Sequence, residues 1–125
     1  MAQEVLRILG QARPAINTEV VVYSVPENRR AAISLIAVVN NGGTNAAIDL
    51  NIVPGGSNNL GGVATQPVNK ILDGFTLNAG KANTEAGSLG GKGVTLNEYD
   101  DIRFETDQAD VVIHVYGVEV LPEKD

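Results

Sequence analysis

Cysteine and tryptophan are absent from these 125 residues, and histidine occurs once. Without cysteine there is no disulfide, no thiolate metal site and no cysteine nucleophile. That absence leaves the redox compartment open. Aromatic residues are few, three Tyr and two Phe, so a core must be built from Val, Ile, Leu and Ala. So thin an aromatic content limits how deep the core can be and makes oligomerisation a natural further source of burial. No apolar run approaches the roughly 20 residues that span a bilayer. The opening Met1-Ala2-Gln3-Glu4 lacks the basic start and apolar centre of a signal peptide, so synthesis in a cytosol is expected. Positive charge is also scarce: nine Lys and Arg against fifteen Asp and Glu give a net −6. An acidic surface repels phosphate backbones and anionic lipid, which excludes nucleic acid and membrane as expected partners.

What is present is strand. The organising stretch is Ala31–Val53, AAISLIAVVNNGGTNAAIDLNIV. It reads as two strands joined by a tight turn at Asn41-Gly42-Gly43, residues that tolerate positive φ. Ile48, Leu50 and Ile52 alternate with Asp49 and Asn51, the pattern of a half-buried antiparallel strand. In the preceding strand Ile33, Leu35, Ala37 and Val39 are expected to share one face. Ile36 and Val38 make the other face apolar as well, which suits a central strand or a subunit contact.

Further strands are read at Val5–Leu9, Glu19–Val25, Lys70–Asn78, Asp101–Thr106 and Val111–Leu121. Pro54–Pro67 and Ala79–Gly93 are rich in Gly and Asn and read as loops. Gly74–Asn78 and Gly93–Asn97 share the pattern G-apolar-T-L-N, which suggests two similar strand-and-turn units. About seven or eight strands with turns between them, and no helix of convincing period, predict an all-β antiparallel sandwich or jelly roll. Residues 1–14 are expected to form an N-terminal arm and 15–125 a single domain.

Chemistry is hard to find. Gly91-Lys92 resembles the end of a phosphate loop, but Ala86 stands where the first Gly belongs and Gly93 where Ser or Thr belongs. His114 lies within the last strand with no motif around it. Glu98, Asp100, Asp101, Glu105, Asp107 and Asp110 crowd together without the calcium-loop order, and alternation sends them to a solvated face. No catalytic residue, metal site or cofactor is expected. The candidate contact residues are Val5, Leu6, Ile8 and Leu9 in the arm, the basic pair Arg29 and Arg30, and Ile36 and Val38 on the second apolar face.

Leu9-Gly10-Gln11 with Pro14, then Tyr23-Ser24-Val25-Pro26, then Ile33–Asn40, follow a recognisable order. So do Gly93–Leu96, Asp100 or Asp101, Ile102-Arg103 and Tyr116-Gly117-Val118-Glu119 later in the chain. This order resembles small bacteriophage virion proteins of the β-sandwich type. The turn after Pro26 and the long Pro54–Pro67 loop depart from that pattern. The resemblance implies a capsid decoration (cement) protein located in the virion, a homotrimer bound to the phage major capsid protein. It also implies, as the alternative, a tail, neck or fibre accessory protein. A carbohydrate-binding sandwich is the reading from another class, although few aromatics are available as sugar platforms.

Overall fold

The computed structural model describes residues 7–56, 64–80, 82–84 and 94–121. Val5 and Leu6 of the expected arm lie outside them, as do most of the Pro54–Pro67 and Ala79–Gly93 loops. Nine strands run through the described residues: β1 (Arg7–Ala12), β2 (Val20–Ser24), β3 (Arg30–Asn40), β4 (Ala46–Val53), β5 (Lys70–Leu77), β6 (Ala82–Thr84), β7 (Val94–Leu96), β8 (Asp101–Thr106) and β9 (Val111–Val120). One 3-10 turn, Pro67–Asn69, leads into β5.

A five-stranded sheet has the order β1-β9-β3, with β6 and β7 both pairing β3. A four-stranded sheet has the order β2-β8-β4-β5. All pairings are antiparallel. The nested pairs β1–β9, β2–β8, β3–β6/β7 and β4–β5 describe one long ribbon rolled over two layers, which is the jelly-roll order.

Between the layers lie Val25, Ile33, Ile36, Val38, Ile48, Leu50, Ile102, Phe104, Val111, Ile113 and Val115, all essentially buried. The core is aliphatic around Phe104, as the composition requires.

Two expectations about the organising stretch are corrected. First, β3 and β4 do not pair as a hairpin; they belong to different sheets. Asn40 shows why. It is fully buried, its Nδ2 donates to the Thr44 carbonyl and to that of Leu77 in the opposite sheet, and its Oδ1 accepts from Gly42 N–H. Backbone groups of the arch and of β5 are thus satisfied by one side chain, and the chain steps across the sandwich instead of folding back. None of Asn41, Gly42 and Gly43 has positive φ.

Second, Ile33 does not share a face with Leu35, Ala37 and Val39. A bulge between Ile33 and Leu35 shifts the register against β9, and the side-chain alternation changes phase there. Ala31 and Ile33 point inward before the bulge; Ile36, Val38 and Asn40 do so after it. Gly117 sits opposite the bulge, where a Cβ would stand 2.2 Å from the Ala32 carbonyl oxygen, so glycine is required. A second bulge, at Leu9 between Ile8 and Gly10, turns Leu9 toward the core. Gly10 lets β1 pass close to β2; a Cβ there would lie 2.3 Å from the Val22 carbonyl oxygen.

Candidate interaction surface

Register pairs share a face of the sheet, so the outer face of the five-stranded sheet can be read row by row. Val38–Ile113 and Ile36–Val115 point inward. The alternate pairs therefore point outward. One row is Ile8–Tyr116–Leu35, across β1, β9 and β3. The next is Gln11–His114–Ala37. A third is Val112–Val39. A fourth is Val118–Ala32, continued by Thr95 of β7. No residue in these rows is charged. Leu35, Ala37, Val39, Val112, His114, Tyr116 and Val118 are half-buried, and Ile8 is 47% exposed. The phase change at the β3 bulge builds this face, because it sends Ile36 and Val38 inward and leaves Leu35 and Val39 outside.

The outer face of the four-stranded sheet is different. Asp101 and Arg103 alternate outward on β8, yet both are buried. Arg103 donates through Nε and Nη2 to Asp101 Oδ2, through Nη2 to the Gly56 carbonyl and through Nη1 to Thr65 Oγ1. Thr65 in turn donates to Glu19, whose other oxygen accepts from Asn51 Nδ2. Chain from the β4–β5 connection thus lies over this face and is held by one guanidinium. The expectation that all the acids of 98–110 are solvated is corrected for Asp101. Several others cap turns: Asp100 accepts from Gly55 and Asn97 N–H, Asp107 from Ala47 N–H and Glu98 from Asn28 N–H. Among the described residues, no three of His, Cys, Asp and Glu gather to hold a metal ion.

At the end of the sandwich where β3 begins, Glu119 reaches between the sheets. It accepts a 2.6 Å hydrogen bond from the Tyr23 hydroxyl of the opposite sheet and pairs with Arg7 and Arg29. Burial pushes the Tyr23 hydroxyl well above its ordinary range, and the bond to Glu119 and that carboxylate's charge add to the effect. An open cleft of about 320 Å³ beside this cluster is lined by Asn28, Arg29, Arg30, Asn97 and Glu98. Arg30 is exposed.

The sequence-predicted contact residues therefore separate. Ile8 stands on the uncharged outer face, Leu9 packs against the core, and Arg29 and Arg30 line the polar end. Ile36 and Val38 have 0% exposure between the sheets. Leu35 and Val39 were not singled out as contacts, because the bulge that turns them outward carries no sequence signal on β3 itself; Val112, Tyr116 and Val118 take the same face by the unbroken alternation of β9. Gly117 within a β-branched run was the available hint.

No family model matches this chain, and no curated protein matches it. Among solved structures it is similar to the Bacillus endospore appendages, described as a novel family of disulfide-linked pili. The TM-score is 0.46 at 10% identity, over 98% of this chain and 93% of the other. At that score and identity the likeness carries no argument about what this chain does, and this chain has no cysteine for such a linkage. It does displace the expected resemblance. The protein found is a pilus subunit and not a virion component, so the capsid-decoration function, the major capsid partner, the trimer on a shell and the virion location are withdrawn.

Proposed function

We propose that this chain is a non-catalytic structural subunit that associates with copies of itself through the outer face of its five-stranded sheet. The observation that carries this reading is the set of uncharged rows Ile8–Tyr116–Leu35, Gln11–His114–Ala37 and Val112–Val39 on a chain of net charge −6. Acidic copies repel one another over most of their surface. A face without charge is where two can approach and remove apolar area from water. Around a two-fold axis the same rows meet themselves, so apolar faces apolar. Four strand positions of about ten residues span roughly 600 Å², less than the ~800 Å² that each partner gives to a standard interface. A single contact of this kind is weak, and its strength in an assembly comes from repetition.

Sedimentation equilibrium over a concentration series tests it. The native chain is expected to associate reversibly, and Tyr116→Arg, which places a charge in the central rows, is expected to remain monomeric with its unfolding midpoint nearly unchanged. A native chain monomeric up to the millimolar range, or a Tyr116→Arg chain that associates equally well, overturns the reading.

A further inference from the structure

We propose that Asn41 is a site of spontaneous deamidation, and that Asn40 restrains the reaction by holding the backbone nitrogen that carries it out. Asn41 is followed by Gly42, and no other asparagine of the chain precedes a glycine. It is exposed, in the arch that takes the chain from β3 to β4. Glycine matters here because it has no Cβ to crowd a closing ring, and its backbone is the least restricted of any residue.

The chemistry needs only these two residues and water. The Gly42 nitrogen attacks Asn41 Cγ. The N–Cγ bond forms, the Cγ–Nδ2 bond breaks, and the side-chain amide leaves as ammonia, taking up the proton that Gly42 nitrogen gives up. Water then opens the five-membered imide at one of its two carbonyls. Opening at one gives aspartate; opening at the other gives isoaspartate, whose main chain runs through Cγ. Either product carries one more negative charge than the starting chain.

The fold exposes the electrophile and occupies the nucleophile. Gly42 N–H donates a 3.0 Å hydrogen bond to Asn40 Oδ1. Asn40 cannot turn away, because it is fully buried and its Nδ2 is held by the Thr44 and Leu77 carbonyls at 2.9 and 3.0 Å. Asn41 N–H donates to the Asp110 carbonyl at 2.9 Å. The peptide groups on both sides of Asn41 are therefore tied. To close the ring, Gly42 nitrogen must lose its proton and swing toward Cγ, so the bond to Asn40 has to break first. An unfolded chain has no such restraint.

The test follows conversion at Asn41 by peptide mass spectrometry, as the change from amide to acid, with ion exchange to separate the more acidic product. The native chain, Asn40→Ala and Asn40→Asp are incubated at mildly alkaline pH, folded in buffer and unfolded in urea. Asn40→Asp keeps an acceptor for Gly42 N–H but, like Asn40→Ala, gives up both donated bonds, so a merely structural role affects the two alike. Asn40→Val, which fills the buried space without an acceptor, is a second variant should Asn40→Ala not fold, and unfolding midpoints show which variants are folded in buffer. The folded native chain is expected to convert at least about tenfold more slowly than the same chain in urea, the weight of one net hydrogen bond. Folded Asn40→Ala or Asn40→Val should close most of that gap, and Asn40→Asp should stay near the native rate. Equal rates for the native chain in buffer and in urea overturn the restraint. Equal acceleration in Asn40→Asp and the variants without an acceptor overturns the part given to Asn40. Faster conversion at another asparagine of the unfolded chain overturns the assignment of Asn41.

Discussion

The two outer faces of this sandwich solve the same problem in opposite ways. On the four-stranded sheet, outward Asp101, Arg103 and Asn51 are polar and yet buried, because Gly56 and Thr65 lie over them and share their hydrogen bonds. On the five-stranded sheet, outward Leu35, Val39, Val112 and Tyr116 are apolar and stay half-exposed. Side-chain polarity therefore does not decide which outward face is closed. A charge placed under a loop must be fully paired, and Arg103 achieves this with four donated bonds. An apolar face needs no specific partner and can wait for one.

That contrast can be broken at several points. The largest effect is expected from Arg103→Ala, which leaves Asp101 buried and without its guanidinium; a loss of about 3–5 kcal/mol is expected in denaturant unfolding. If the cost is under about 1 kcal/mol, the cover over this sheet is not held by that pair. Asn40→Ala comes next. It frees Gly42 N–H and the Thr44 and Leu77 carbonyls at the arch, and roughly 2–3 kcal/mol should be lost by the same measurement.

Tyr23→Phe should cost about 1.5 kcal/mol near neutral pH, since it removes a hydrogen bond to a charged group. It also sharpens a pH dependence. The Tyr23 hydroxyl is held protonated in the folded chain, so its contribution is complete below the unfolded value of about 10 and declines as pH rises beyond that. The variant should lack this alkaline decline, and a pH series of unfolding midpoints shows whether it does. The smallest effect on folding is expected from Leu35→Thr with Val112→Thr on the open face, within about 1 kcal/mol. Thermal unfolding checks that figure, and a loss as large as that of Arg103→Ala would mean the face is already covered within one copy.

Much of the fold could be read from residue order alone. Alternation at Ile48–Ile52 and Ile102–Phe104 marked strands whose inward Ile48, Leu50, Ile102 and Phe104 have 0% exposure, with Ile52 partly buried against the core. The β-branched runs at 31–40 and 111–121 marked the two central strands of one sheet. The turn at 41–43 misled, because Asn-Gly-Gly suits a hairpin and an arch alike, and what chooses between them is the distant Leu77 carbonyl that Asn40 reaches. Of the sequence-predicted contact residues, only Ile8 stands on the open outer face of the five-stranded sheet. Ile36 and Val38 drew attention as an extra apolar face, whereas the bulge exchanges them with Leu35, Ala37 and Val39. Asp101 and Arg103 read as solvent-facing because alternation says which side of a sheet a residue takes, not what lies above it.

Residue order by itself determined the aliphatic composition of the core, most of the strand positions (β6 falls inside Ala79–Gly93, which reads as a loop) and the lack of any thiol chemistry. These depend on local propensity and on the two-residue period of a strand. Tertiary structure alone decided which sheet each strand joined, where the period slipped, and which outward face was sealed. Those outcomes rest on contacts between residues far apart in the chain, such as Asn40 with Leu77 and Arg103 with Thr65, and no local pattern encodes them.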